Sequence, residues 1–261
     1  MAASRRPADG QVPVNVLTRL FFGWSLVWIG VSTAICASGY LLCRLVSREP
    51  ALFSWWTRAW GRSMFFFMGL RISCEGFERI DRSAPCVLAA NHQNGLDIPL
   101  VALALPMTFS FVAKAELEHA PFLGAALKAS PSVFVDPRDP RRSIESLRKA
   151  GREIREGTSV LVFPEGARSY DGRMTAFRKG AFQLAFEAQV PMIPVTIVDA
   201  VAVFNEKKRA ARPGRIRVVV GEPVGLAGLD RRSLPGVMET VRDRVAGPLP
   251  PSWRNPPEPV P

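Results

Sequence analysis

The chain reads as an α/β protein in which helices flank a largely buried sheet, with an apolar helical segment ahead of it. Three observations predict this. From about Cys74 onward, short β-rich runs alternate with helix-like stretches. Those runs are continuously apolar, as strands covered on both faces are. Residues 20–43 contain no charged side chain at all.

Residues 1–19 form a polar leader that carries Arg5, Arg6 and Arg19. Residues 20–43 would make a helix of about 36 Å, enough to cross a ~30 Å hydrocarbon core, and are expected to be a retained membrane span. A cleaved signal is the rival, but its apolar region runs to only about 7–15 residues. Basic residues flank the span on both sides, so charge alone does not set its orientation. Residues 50–70 are apolar yet place Arg58 and Arg62 on one helical face. A second crossing would bury both arginines at ~2.5–3.5 kcal/mol each. An amphipathic helix lying at the membrane interface is therefore expected, with packing on the protein core as the alternative.

The apolar runs at 85–90, 108–113, 132–135, 160–163, 192–198 and 216–220 are expected strands. The stretches 98–105, 141–155, 179–188 and 234–245 between them are expected helices. Together they make a domain over 72–246. The proline-rich stretch 247–261 is expected to be disordered.

A formal charge of +11 asks for an anionic partner: nucleic acid, lipid headgroups or a phosphate-bearing substrate. The apolar segment favours the last two. The richest arginine stretch, 138–155, has no aromatic side chain for base stacking, which argues against nucleic acid. Cys36, Cys43, Cys74 and Cys86 form no C-x-x-C pair and read as packing thiols in a reducing compartment. No residue cluster has metal-ligand spacing, so no metal is expected.

Only two histidines occur. His92 follows the run VLAA, and Asp97 comes five residues later. A turn at Asn94–Gly95 would leave His92 at a strand end and Asp97 in the first helical turn, where the helix dipole favours a carboxylate. Asp97 then accepts from one imidazole nitrogen and leaves the other as a base. The same spacing also fits a helix cap beside a surface imidazole. His119 lacks such a partner and reads as structural. A second group, Glu165, Gly166 and Arg168, follows the run VLVFP, at the carboxyl end of a strand where parallel sheets bind ligands. Gly166 permits close backbone approach and Arg168 offers a fork for a phosphate. Glu165 and Arg168 as a surface ion pair is the plain alternative.

Taken together, these segments resemble the glycerolipid acyltransferase family, which includes the 1-acylglycerol-3-phosphate acyltransferases. The family's N-H-x-x-x-x-D block reads here Asn91-His92-Gln93-Asn94-Gly95-Leu96-Asp97, and its F-P-E-G-x-R-S block Phe163-Pro164-Glu165-Gly166-Ala167-Arg168-Ser169. Val190-Pro191-Met192-Ile193-Pro194-Val195 is similar to the later V-P-[IV]-[IV]-P-V block, and Phe177-Arg178-Lys179-Gly180-Ala181 to its F-x-x-G-A segment. The resemblance covers roughly residues 72–225. It implies an α/β acyltransferase domain behind a membrane-associated helical segment, on the cytoplasmic face of a membrane. Members usually place an arginine directly after the aspartate that ends the 132–135 strand. Here Pro137 intervenes, and Arg138 is taken as the phosphate contact, with Lys114 as its helper.

The implied reaction is direct transfer of a fatty acyl group from acyl-CoA or acyl carrier protein to the free hydroxyl of lysophosphatidic acid, with no cofactor. Glycerol 3-phosphate or another lysophospholipid is the alternative acceptor, and lipid hydrolysis a more distant reaction. His92, oriented by Asp97, would take the hydroxyl proton, while Glu165, Gly166 and Arg168 position the acceptor. Backbone amides after His92 are candidates to stabilise the oxyanion. No G-x-S-x-G nucleophile elbow is present.

Overall fold

The computed structural model describes residues 12–254 apart from 48, 106, 137, 139–145, 147–149 and 153. Two long helices lead: α1 (Val16–Arg44) and α2 (Pro50–Phe67). The α/β domain follows with β1 (Leu70–Glu75), β2 (Val87–Ala90), α3 (Asp97–Ala104), β3 (Phe109–Lys114), α4 (Leu123–Ala129), β4 (Val133–Val135) and β5 (Ser159–Val162). Then come α5 (Lys179–Ala188), β6 (Met192–Val198), the hairpin β7 (Phe204–Asn205) and β8 (Ala210–Ala211), β9 (Gly214–Val220) and α6 (Leu234–Ala246). Residues 150–152 and 154–155 are helical within the predicted 141–155 stretch, most of which lies outside the described residues.

Seven strands form one sheet in the order β1-β9-β6-β2-β5-β3-β4. Every pairing is parallel except β6 with β9. The continuous apolar runs are explained by burial from both sides. Leu88, Ala90, Leu161, Ile193 and Val195 face a layer made by α1, α2, α3 and α4. Val87, Ala89, Val160, Val162 and Met192 face the other layer, built on α5 and α6. Cys86, just before β2, is buried, and burial pushes its thiol up to about 11. All four cysteines are free, as packing thiols should be.

α1 begins within the stretch read as leader. Asn15 Oδ1 accepts the Thr18 N–H at 3.0 Å and Thr18 Oγ1 accepts the Asn15 N–H at 3.0 Å, a reciprocal cap that starts the helix at Val16. By length and composition α1 could cross a membrane. It also lies along the domain. Phe22, Ser25, Ser32, Ala37 and Tyr40 are buried on one side, while Leu17, Leu20, Trp24, Val27, Val31 and Ile35 stand exposed on the other. At one end Phe22 stacks on Phe204 with centroids 5.2 Å apart. At the other, the Tyr40 hydroxyl donates to the Ala129 carbonyl at 2.8 Å.

α2 packs between α1 and α3, as the core-packing alternative for 50–70 has it, and leaves Trp55, Phe66 and Phe67 exposed. Trp28 and Trp60 donate their indole N–H groups across the α1–α2 seam, to Ser63 and Thr33. Arg58 turns inward and donates to the carbonyls of Ala102, Leu105 and Met107 at 2.9–3.1 Å, satisfying the end of α3. Arg62 stays exposed.

The expected disorder after residue 246 is also corrected. Trp253 is 5% exposed and sits where Gly172 has no side chain, and its carbonyl accepts the Met174 N–H at 2.8 Å. One large apolar ring outweighs the surrounding prolines. The positions from 255 on lie outside the described residues.

Candidate active site

The five mutually parallel strands β2, β3, β4, β5 and β6 end on one edge of the sheet. That edge collects His92 after β2 and the 163–170 loop after β5. Side-chain amides extend the β2–β6 pairing past its end. Asn91 accepts from Ile197 N at 2.7 Å and donates back to its carbonyl at 3.0 Å, and Gln93 donates to the same carbonyl at 2.9 Å. The chain then turns through Asn94 and Gly95 into α3, as the sequence predicts.

Asp97, in the first turn of α3, is fully buried. Its Oδ2 accepts the Gln93 N–H at 2.6 Å and the Asn94 N–H at 3.0 Å, and lies 2.7 Å from His92 Nδ1. The cap and the dyad are therefore one arrangement: the aspartate closes the turn and orients the imidazole. With Nδ1–H donated to the carboxylate, Nε2 is the nitrogen free to take a proton. The His92 side chain is 16% exposed, which leaves a narrow approach to it.

The 163–170 loop clamps His92 at three points. Phe163 stacks on the imidazole with centroids 4.0 Å apart and planes 16° from parallel. Glu165 Oε1 accepts the His92 N–H at 2.8 Å, and the His92 carbonyl accepts the Ser169 N–H at 2.9 Å. Glu165 faces inward: it is 4% exposed, and its Oε2 accepts both the N–H and the hydroxyl of Thr175 at 2.7 and 2.8 Å. Burial raises its pKa, against these hydrogen bonds, which lower it. Gly166 has φ +71°, which favours glycine, and a Cβ there would displace the flexible Arg178 side chain. Arg168 reaches the edge of the site, where Glu206 holds its Nη1 at 2.8 Å.

A family model described as Acyltransferase matches residues 71–198. The human 1-acyl-sn-glycerol-3-phosphate acyltransferase beta is 28% identical over 226 residues, covering 84% of this chain and 80% of the human one. The crystal structure of the lysophosphatidic acid acyltransferase PlsC from Thermotoga maritima superimposes with a TM-score of 0.71 at 26% identity, over 87% of this chain and 92% of that one. The 1-acyl-sn-glycerol-3-phosphate acyltransferase of Saccharomyces cerevisiae is 30% identical over 213 residues, or 80% of this chain and 70% of the yeast protein. The chain belongs to this acyltransferase family.

Within the acyltransferase, the remaining expected residues are spread along the same sheet edge. Strands lie about 4.8 Å apart, so Lys114, two strands from His92, stands about 10 Å away along the sheet, and Arg138, after β4, about 15 Å. Arg138 is 73% exposed and paired with Glu116 at 3.2 Å and Asp136 at 3.3 Å. The structure groups His92, Asp97, Glu165, Gly166 and Arg168, and leaves Arg138 outside that group. The amides expected for an oxyanion are occupied: those of Gln93 and Asn94 by Asp97, and that of Gly95 by Glu206 Oε2 at 3.2 Å. Sequence reasoning missed Glu206, Thr175 and the stacking role of Phe163. Of these, only Phe163 left a signal, as part of a quoted motif.

Proposed function

We propose that this acyltransferase moves a fatty acyl group from a thioester, acyl-CoA or acyl carrier protein, to the sn-2 hydroxyl of lysophosphatidic acid, giving phosphatidic acid. The observation that carries the reading is the His92–Asp97 pair, locked by a buried carboxylate on one nitrogen and open on the other. The names of the yeast and human relatives and of the Thermotoga maritima enzyme support the acceptor.

His92 Nε2 takes the acceptor's hydroxyl proton as the oxygen attacks the thioester carbonyl. The C–S bond breaks, the thiolate leaves, and the imidazolium returns the proton to it. Asp97 stabilises the imidazolium while it exists. The thioester is already activated, so the reading requires no cofactor. Arg168, and with it Lys114 and Gly166 along the same edge, would face the acceptor's phosphate; Glu165 holds the loop that carries Arg168.

The exposed apolar row on α1 supports a membrane location, with the catalytic domain on the cytoplasmic side. Both ends of α1 touch the α/β domain, so inserting the helix across a bilayer would drag polar layers into hydrocarbon. α1 embedded from one side avoids that cost.

The test is purified protein with labelled acyl-CoA and a panel of acceptors: lysophosphatidic acid, glycerol 3-phosphate, and lysolipids with a capped phosphate. Phosphatidic acid should dominate. Arg168→Ala should raise the apparent KM for lysophosphatidic acid about ten- to hundred-fold, the value of a charge-assisted contact. Release of free fatty acid without any acceptor would turn the reading to hydrolysis.

A further inference from the structure

At the N-terminal end of α1, Arg19, Phe22 and Gly23 face Lys207, Lys208 and Arg209 across an open cleft of about 400 Å³. Four of these six residues are cations and none is acidic. The two walls are fixed to each other. Phe22 on α1 stacks on Phe204 at the root of the 206–209 turn. Asn205 ties that turn down, donating to the Tyr170 carbonyl at 3.0 Å and accepting the Lys208 N–H at 2.9 Å. Arg19, Lys207 and Arg209 stand on these tied supports around one cleft, and an anion with several oxygens can meet them together.

The position of the cleft identifies the anion. The exposed row Leu17, Leu20, Trp24, Val27, Val31 and Ile35 runs along α1, and Arg19 flanks it. Where such a row lies in lipid, a cation flanking it reaches up to headgroup depth. The turn cations share that depth because they line the same cleft.

We propose that this cleft binds the phosphate of an anionic membrane phospholipid, as a site separate from Arg168. The proposal rests on α1 being lipid-facing and is independent of which acceptor the enzyme uses. Glu206 immediately precedes the cleft residues and contacts both Arg168 and Gly95, so an occupied cleft would seat the active-site mouth against the bilayer.

The full-length protein is titrated with phosphatidylcholine vesicles, with and without phosphatidylglycerol. The parent should prefer the anionic vesicles, and salt should weaken that preference. Each cation near an anionic surface contributes about fivefold in affinity, so Arg19→Gln with Lys207→Gln should remove about 25-fold of the preference. The control is Arg231→Gln with Arg232→Gln, which removes the same charge from the segment leading into α6, on the opposite face of the sheet. It should retain the preference. Equal losses in the two double variants would make net charge the cause and overturn the site. Displacement of the vesicles by inorganic phosphate beyond that by sodium chloride of equal ionic strength would mark a site for a soluble anion, and would overturn the lipid assignment. A raised acceptor KM in detergent with vesicle binding intact would make the cleft part of the acceptor site instead. If the parent binds neither vesicle, the lipid-facing reading of α1 fails, and the site with it.

Discussion

Glu206 and Arg168, 38 residues apart in sequence, meet at 2.8 Å beside the turn that carries His92 and Asp97. The second Glu206 oxygen holds the N–H of Gly95 at 3.2 Å, so one carboxylate bridges a guanidinium and the backbone that leads into α3. An acceptor phosphate approaching Arg168 meets a protein anion already in place. Glu206→Gln keeps the shape and removes the charge. A partly exposed pair of this kind is worth about 0.2–1 kcal/mol, so the apparent KM for lysophosphatidic acid should fall by up to about fivefold, with kcat little changed. A raised KM in steady-state assays would show that Glu206 serves chiefly to orient Arg168.

Asp97→Asn separates the two duties of that residue. An amide oxygen can still accept from Gln93 and Asn94, so the turn and the thermal midpoint should be nearly preserved. It cannot stabilise an imidazolium as a carboxylate does, so kcat should drop while KM stays close to the parent's. His92→Ala removes the base itself and should lose about 10²–10⁴ in rate. A purified His92→Ala protein with near-parental turnover would sink the mechanism.

Glu165 should behave as a structural residue with a catalytic consequence. In Glu165→Gln the amide offers one oxygen where the carboxylate offers two, leaving either His92 N or the Thr175 donors unmatched, at about 1–3 kcal/mol. Its pKa is raised in the fold, chiefly by burial, so the folded chain binds that proton more readily than the unfolded chain. The contribution of Glu165 to stability therefore falls as pH climbs from the ordinary glutamate value to the raised one, and is flat above it. Urea midpoints measured across that window should show the slope in the parent and lack it in the Gln variant.

Trp253→Ala tests whether the end of the chain belongs to the domain. Loss of a buried tryptophan costs about 3–5 kcal/mol. It also frees the segment whose Met174 N–H bonds the Trp253 carbonyl, one residue before the Thr175 that holds Glu165. Thermal unfolding should register the loss, and turnover should decline with it. An unchanged midpoint would mean that the docked ring contributes nothing.

The parts of the fold legible in sequence are those whose burial is uniform. β2, with all four residues buried, can only be written as an apolar run, and so can β6. β1 was missed because it is an edge strand that interleaves Arg71 and Glu75 with apolar residues. The two-residue strands β7 and β8 are too short to leave a pattern, and α4, LGAALKA, has too few turns to show a period. In the site, His92 and Asp97 were legible because a short turn joins them. Arg168 and Glu206 meet only through the tertiary path of the chain, and nothing local announces it. Trp253 was misjudged because proline content describes a backbone and says little about one ring that finds a pocket.

α1 has a consequence for anyone seeking a soluble form of this enzyme. Phe22 and Tyr40 belong to the same core cluster as Leu88, Leu161 and Ile193. Cutting the chain after Arg44 would strip a wall from that cluster and leave Phe53, Phe111 and Leu127 facing water. Solubility has to be gained by recolouring: polar residues at Leu17, Leu20, Val27 and Val31, on the outward side of a helix that stays where it is.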